Sequence, residues 1–234
     1  NKKMKEKQIF AAIFAVLILF AGCTTGQIVQ EETIMLGSIL ILTGPGAAWG
    51  TASQNAIDLA IDEINANGGV LGNTLEVDHQ DDQSDSAKAI SAFQELTRTQ
   101  GIDIIIGTTW SHTGIPLVDM AQEQGVLMIS PSLGMEDFNE ASPLLFNTWP
   151  HDALLSAELA ERVFSQGHTS IALIGAEQLW VKQQTDAFME RFEELGGEVV
   201  VLLEPLPDAA NVYTDALKIA EAQDDITAIV STTD

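Results

Sequence analysis

The sequence predicts an α/β protein built from two doubly wound, parallel-sheet lobes. Three observations predict it. Short β-branched runs alternate with segments of helical period from residue 34 onward, the pattern of strand–helix–strand units with a parallel sheet. Turn residues such as Thr43-Gly44-Pro45-Gly46 and Asn67-Gly68-Gly69 close the runs. The alternation breaks near residues 146–151, at Trp149-Pro150, and then restarts.

Residues 34–42 form an apolar run ended by the Gly/Pro turn and read as the first strand. Ile57, Ala60, Ile61 and Ile64 recur at helical spacing, and that helix stops at the two glycines. Residues 75–79 read as a strand and 87–96 as a helix, with Asp85 as its cap. Residues 102–106 are strongly β-branched. Residues 115–124 read as a helix with Pro116 in its first turn. Residues 126–129 read as a strand, and 144–149 as a short extended piece. Beyond the break come helix 152–164, strand 171–174, helix 182–195, strand 199–203, helix 212–222 and strand 226–230. Right-handed crossovers wind such units on both faces of a sheet. So many strands exceed one comfortable sheet, which favours two lobes.

The start of the chain has another character. Lys2, Lys3, Lys5 and Lys7 precede an apolar run at 9–20, followed by Ala21-Gly22-Cys23. The run is too short for a comfortable span of about 20 residues and fits an export leader. Leu19-Phe20-Ala21-Gly22-Cys23 resembles a lipobox, which implies acylation of Cys23. The expected organisation is a leader over 1–22, a tether over 23–33, a first lobe over 34–146, a hinge crossover over 147–151 and a truncated second lobe over 152–234. The expected location is extracytoplasmic, anchored to the cell membrane by lipid. Cys23 is the sole cysteine, so no internal disulfide forms.

Beyond Cys23, six basic side chains face 33 acidic ones. That surface repels phosphate backbones and argues against nucleic acid as a partner. The four histidines are scattered without ligand spacing, and Asp78, Asp81, Asp82 and Asp85 lack calcium-loop spacing. No metal site and no cofactor is expected. Gly44-x-Gly46 has Trp49 where a dinucleotide fingerprint needs its third glycine. No serine sits in a nucleophile elbow, and no nucleophile–base–orienter set stands out, so no catalytic residue is assigned.

Residues 39–50 (ILILTGPGAAWG), 60–72 (AIDEINANGGVLG), Asp81-Asp82, Ile105-Ile106-Gly107 and 124–131 (QGVLMISP) carry a likeness. They resemble type I periplasmic binding proteins, in particular the leucine/isoleucine/valine-binding branch of ABC-transporter receptors. The resemblance implies a monomeric clamshell that captures a small polar solute and delivers it to permease subunits. The solute would be an amino acid, amide or related carboxylate. A ligand-sensing ectodomain of a signalling protein uses the same lobes and is the alternative.

In open parallel sheets ligands bind beyond the carboxyl ends of the strands. Trp49 follows the first strand, where the family packs an aromatic on the ligand. Ser111 follows the third strand, and the resemblance implies that it binds the ligand carboxylate. The surface alternative is that Ser111 or Thr113 caps a helix. Ser132, Leu133 and Gly134 follow the fourth strand. Ser132 fits the family's small position, whereas Gly134 stands where amino-acid receptors carry a threonine, which puts an amino-acid ligand in doubt. In the second lobe, Trp180 and Asp234 fall where the family places binding side chains.

Overall fold

The computed structural model describes residues 32–205, 212–222 and 224–232. The chain divides into Asn1–Glu32 and Thr33–Asp234, and the elements below all belong to the second unit. The leader, Cys23, most of the tether and Asp234 lie outside the described residues.

The first sheet contains β1 (Thr33–Leu40), β2 (Thr74–Asp81), β3 (Ile104–Gly107), β4 (Leu127–Ser130) and β5 (Leu145–Asn147). They are hydrogen-bonded in the order β2-β1-β3-β4-β5, all parallel. The register lines up Gly37, Ile105, Met128 and Leu145 across one face. On that face α2 (Ser86–Gln94) and α4 (Val118–Gln124) bury a continuous core that includes Phe93, Leu96, Ile105, Leu117 and Met128. Gly37 lets the core close. A Cβ there would stand 2.8 Å from Leu96 Cδ1. Each fully buried side chain of this size contributes about 1.5–3 kcal/mol.

The opposite face carries α1 (Ala47–Ala66). Asn65 fastens it to the edge of β2 by donating to Leu75 O and accepting from Leu75 N, both at 2.8 Å. His79 on β2 adds a second tie, with Nδ1 2.6 Å from Ser38 Oγ and Nε2 2.9 Å from Asp58 Oδ1. Toward β5 this face is open: Ile104, Ile106, Leu127 and Ile129 are half-buried, and Phe146 is 50% exposed.

Asp85 caps α2 as expected, accepting from Lys88 N at 2.9 Å. The helix expected over 115–124 differs. It begins four residues earlier as α3 (Ser111–Gly114), tightens into a 3₁₀ turn at Ile115–Leu117, and resumes as α4. Pro116 is the cause, since it has no N–H to give the carbonyl of His112. Ser86 Oγ donates to that carbonyl instead, at 2.7 Å. A short helix α5 (Glu136–Asn139) lies between β4 and β5, where the sequence shows no period.

The crossover after β5 is laced to the loop after β4. Thr148 N donates to Ser130 O at 3.0 Å, Asn147 Nδ2 to Leu133 O at 2.8 Å, and Asp152 N to Gly134 O at 2.9 Å. The His151 ring nitrogens lie 3.2 Å from Glu136 Oε1 and 3.1 Å from Asn139 Oδ1.

The second sheet contains β6 (Ser170–Ile174), β7 (Glu198–Leu203) and β8 (Ala228–Ser231) in the order β7-β6-β8, again parallel. It follows α6 (Asp152–Ser165) and packs with α7 (Leu179–Glu194), while α8 (Val212–Glu221) links β7 to β8. Its core includes Ala160, Val163, Ile171, Leu173, Phe188 and Phe192. Phe188 and Phe192 stack with centroids 5.5 Å apart. The start of α7 precedes the expected residue 182, because Lys182 N already donates to Gln178 O at 2.8 Å.

Candidate functional site

The carboxyl ends of β1, β3, β4 and β5 converge, and each exit is shaped by side-chain hydrogen bonds. After β1, Leu42 N and Thr43 N donate to Asp81 Oδ1 at 2.9 and 3.2 Å, and the Thr43 hydroxyl donates to Oδ2 at 2.6 Å. Burial alone would raise the Asp81 pKa, but these bonds and one from Gln83 N outweigh it and hold the carboxyl below its usual range. The neighbouring Asp82 is fully buried. Burial pushes its pKa up, against a smaller opposing effect from Ser84 N and the nearby Thr113 and His112. Asp82 Oδ2 has no hydrogen-bond partner among the described residues.

After β3, Thr109 Oγ1 accepts from Ile41 N at 3.2 Å and the Trp110 ring lies against Gly46. Ser111 opens α3. The cap position belongs to Trp110, which gives no side-chain bond, and Thr113 Oγ1 donates back to Trp110 O at 3.0 Å. Neither Ser111 nor Thr113 therefore caps the helix. Ser111 Oγ is buried and has no hydrogen-bond partner among the described residues. An orphaned buried hydroxyl is suited to a ligand oxygen. His112 is tied to the β2 exit, its Nε2 lying 3.0 Å from Ser84 Oγ.

After β4, Ser130 Oγ donates to Thr108 O at 2.7 Å and accepts from Leu133 N at 3.0 Å. Ser132 Oγ donates to Thr109 O at 2.6 Å. Its proton is committed, so it offers an arriving solute an acceptor. Leu133 is a correction: its side chain is 1% exposed within the first core and packs toward Gly114, so it is not a binding wall. Gly134 is buried too, and its open side is filled by the Asp152 carboxylate. Burial raises the Asp152 pKa, partly offset by the Trp149 indole N–H and by His151.

Trp49, in the first turn of α1, and Trp149, just past β5, meet edge to face with centroids 6.5 Å apart. Both line a cavity of about 540 Å³ that also takes in Pro131 and Ser132 and runs under α1 to Leu36 and Leu75. A separate hollow of about 330 Å³ in the second lobe is lined by Trp180, Ser156, Gln184, Ser231 and Thr232. Trp180 also packs on the first-lobe core, and its Nε1 donates to Gln178 Oε1 at 3.0 Å. The structure thus brings Trp49 and Ser132 into one cavity, puts Trp180 in another, and leaves Ser111 lining neither. Trp149 and Asp152 escaped sequence reasoning. The rule that ligands meet residues beyond strand ends, applied to β5, would have found Trp149.

Among the described residues no three His, Cys, Asp or Glu side chains cluster as metal ligands. No helix among them is long and apolar enough to cross a membrane.

Residues 33–234 match the periplasmic binding protein family. The chain is 36% identical over 107 residues to the Leu/Ile/Val-binding protein BraC3 of Rhizobium johnstonii, covering 46% of this chain and 29% of that protein. It is 27% identical over 187 residues to Leu/Ile/Val-binding protein homolog 3 of Brucella melitensis, covering 79% and 49%. The chain therefore spans at most about half the length of these two relatives. The branched-chain amino acid transporter substrate-binding protein LivJ of Streptococcus pneumoniae, solved with isoleucine, superposes with a TM-score of 0.74 at 28% identity, over 86% of this chain and 57% of that one. A Rhodopseudomonas palustris solute-binding protein solved with 4-hydroxybenzoate has a TM-score of 0.77 at 22% identity, over 86% and 54%, and shows the fold alone.

Proposed function

The chain belongs to the periplasmic binding protein family, and we propose that it is part of the solute receptor of an ABC importer, binding a small amino acid, amide or related carboxylate between its lobes without turning it over. The observation that carries this reading is Ser111, whose buried hydroxyl has no hydrogen-bond partner among the described residues at the open carboxyl end of a parallel sheet. Likeness to Leu/Ile/Val-binding proteins and to the isoleucine complex of LivJ supports the solute class. Trp49 and Ser132 are the candidates of the first-lobe cavity, Trp180 of the separate second-lobe hollow, and Gly134, packed against Asp152, of the loop after β4. Asp234 is a further candidate of the second lobe. The lobes close about the crossover near residues 147–151. Acylated Cys23 holds the mature receptor outside the cytoplasm, beside its permease.

Calorimetry on the full-length protein with L-leucine, L-isoleucine and L-valine tests the reading, with their des-amino carboxylates as further probes. Saturable binding of at least one, with compaction in small-angle scattering, is expected. Absence of any binding across the panel sinks it. For the anchor, Cys23→Ser should release the protein from the membrane fraction or leave its leader unprocessed. Retention with an intact acylated N-terminus argues against Cys23.

A further inference from the structure

We propose that His112 is a positioning residue for the solute site: it fastens the single helical turn that carries the orphaned Ser111 hydroxyl to the loop after β2. The inference rests on the solute-binding reading above and adds to it a residue that acts through another. The helix α3 has four residues. A helix so short has little stability of its own. Pro116 weakens it further, because it lacks the N–H that His112 O would take. The place of Ser111 is therefore set by what grips α3 from outside.

The grip falls on His112 from three sides. Its Nε2 lies 3.1 Å from Ser84 O and 3.0 Å from Ser84 Oγ. A carbonyl oxygen only accepts, so Nε2 carries a proton and donates. The His112 carbonyl accepts from Ser86 Oγ at 2.7 Å. The ring is tilted at 50° to the Trp110 indole, with centroids 5.8 Å apart. That indole in turn rests on Gly46 in the turn after β1, where a Cβ would stand 2.9 Å from it. His112 thus joins the exits of β1, β2 and β3.

The loop after β2 is shaped to present that grip. Gln83 and Ser84 both take left-handed backbone, with φ of +52° and +60°, a conformation that is unfavourable for residues other than glycine unless the surroundings enforce it. Two carboxylates enforce it here. Asp81 Oδ1 accepts from Gln83 N and Asp82 Oδ1 from Ser84 N, both at 2.9 Å. The turn so held brings the carbonyl and the hydroxyl of Ser84 to the same ring nitrogen. Ser111 Oγ, one residue from the gripped position, makes no hydrogen bond among the described residues that would fix it. Its aim depends on its neighbour.

The test uses the full-length protein and calorimetry with L-leucine, L-isoleucine, L-valine and their des-amino carboxylates. For a probe that wild type binds, His112→Phe keeps an aromatic ring beside Trp110 but loses the donor, and should weaken binding roughly three- to tenfold. Ser86→Ala, which frees the His112 carbonyl, should act in the same direction. His112→Gln, whose amide retains an N–H donor, should restore most of the loss. The deciding readout is a double-mutant cycle. In a Ser111→Ala background neither His112→Phe nor Ser86→Ala should change affinity by more than about twofold, because both act through the hydroxyl already removed. If His112→Phe does not fold, Ser86→Ala carries the cycle by itself. Losses that add in full to that of Ser111→Ala overturn the inference, and so does wild-type affinity in the single variants; either result leaves solute binding standing. If wild type binds none of the probes, the inference falls together with the solute-binding reading.

Discussion

The Thr43 hydroxyl donates to Asp81 Oδ2 at 2.6 Å, so the loop after β1 hangs on the last residue of β2. With Leu42 N, Thr43 N and Gln83 N, four donors converge on one carboxylate. That loop leads directly into the turn of α1 that carries Trp49.

Asp81 should make the fold acid-sensitive. Its folded pKa is lowered, so its contribution is present in full above the unfolded carboxylate range and is lost as pH falls through the folded value. Asp81→Ala should cost about 1–3 kcal/mol at neutral pH, read by urea unfolding, and should flatten the acid limb of the stability curve. An unchanged acid limb would mean that the four bonds contribute nothing.

Asp82 should act in the opposite sense. Its folded pKa is raised by burial, so the folded state holds the proton more tightly than the unfolded one. Stability then falls as pH rises from the ordinary carboxylate range through the folded pKa. Asp82→Asn, unable to ionise, should remove that falling slope. Unfolding free energies of wild type and variant measured at pH 4, 5, 6 and 7 check the sign.

Ser111→Ala in the full-length protein should weaken solute binding roughly ten- to a hundredfold, since hydrogen bonds to charged groups contribute about 1.5–3 kcal/mol each. Its melting temperature should stay close to wild type, because the hydroxyl makes no bond within the described residues. Unchanged affinity for a solute that wild type binds would remove Ser111 from the site.

Gly50→Ala should be among the most damaging single-methyl changes. The added carbon would stand 1.9 Å from Ile41 O, which belongs to backbone and cannot swing away. Forcing α1 off the sheet should cost about 3 kcal/mol or more and displace Trp49 with it. Gly68→Ala, where nothing lies within 4 Å of the added carbon but φ is +99°, should cost less. Thermal unfolding of both variants gives the comparison.

The fold was legible because strand runs and glycine stops are local signals. Residues 34–42 and 171–174, and Asp85 as a cap, needed nothing but near neighbours. The Pro116 turn was half legible. Proline announces a broken hydrogen bond, but that Ser86 would take up the freed carbonyl depends on a partner 26 residues away. Trp49 and Ser132 could be proposed from sequence because both follow strand ends, and they line one cavity. Leu133 was misassigned because position along a loop does not show which way a side chain turns. The pairing of Gly134 with Asp152 was hidden for a related reason. The glycine reads as a missing hydroxyl until the acid that fills its place is seen.

The lacing of the crossover to the β4 loop bears on how an optical reporter could be built on this scaffold. Ser130 and Thr148, Leu133 and Asn147, and Gly134 and Asp152 are joined across the two segments. Fluorophores at Ser130 and Thr148 would therefore ride together and stay dark to any lobe movement. A pair placed on Thr148 and the far end of α6, near Ser165, straddles the first point at which the chain leaves that lattice, and would give the larger signal.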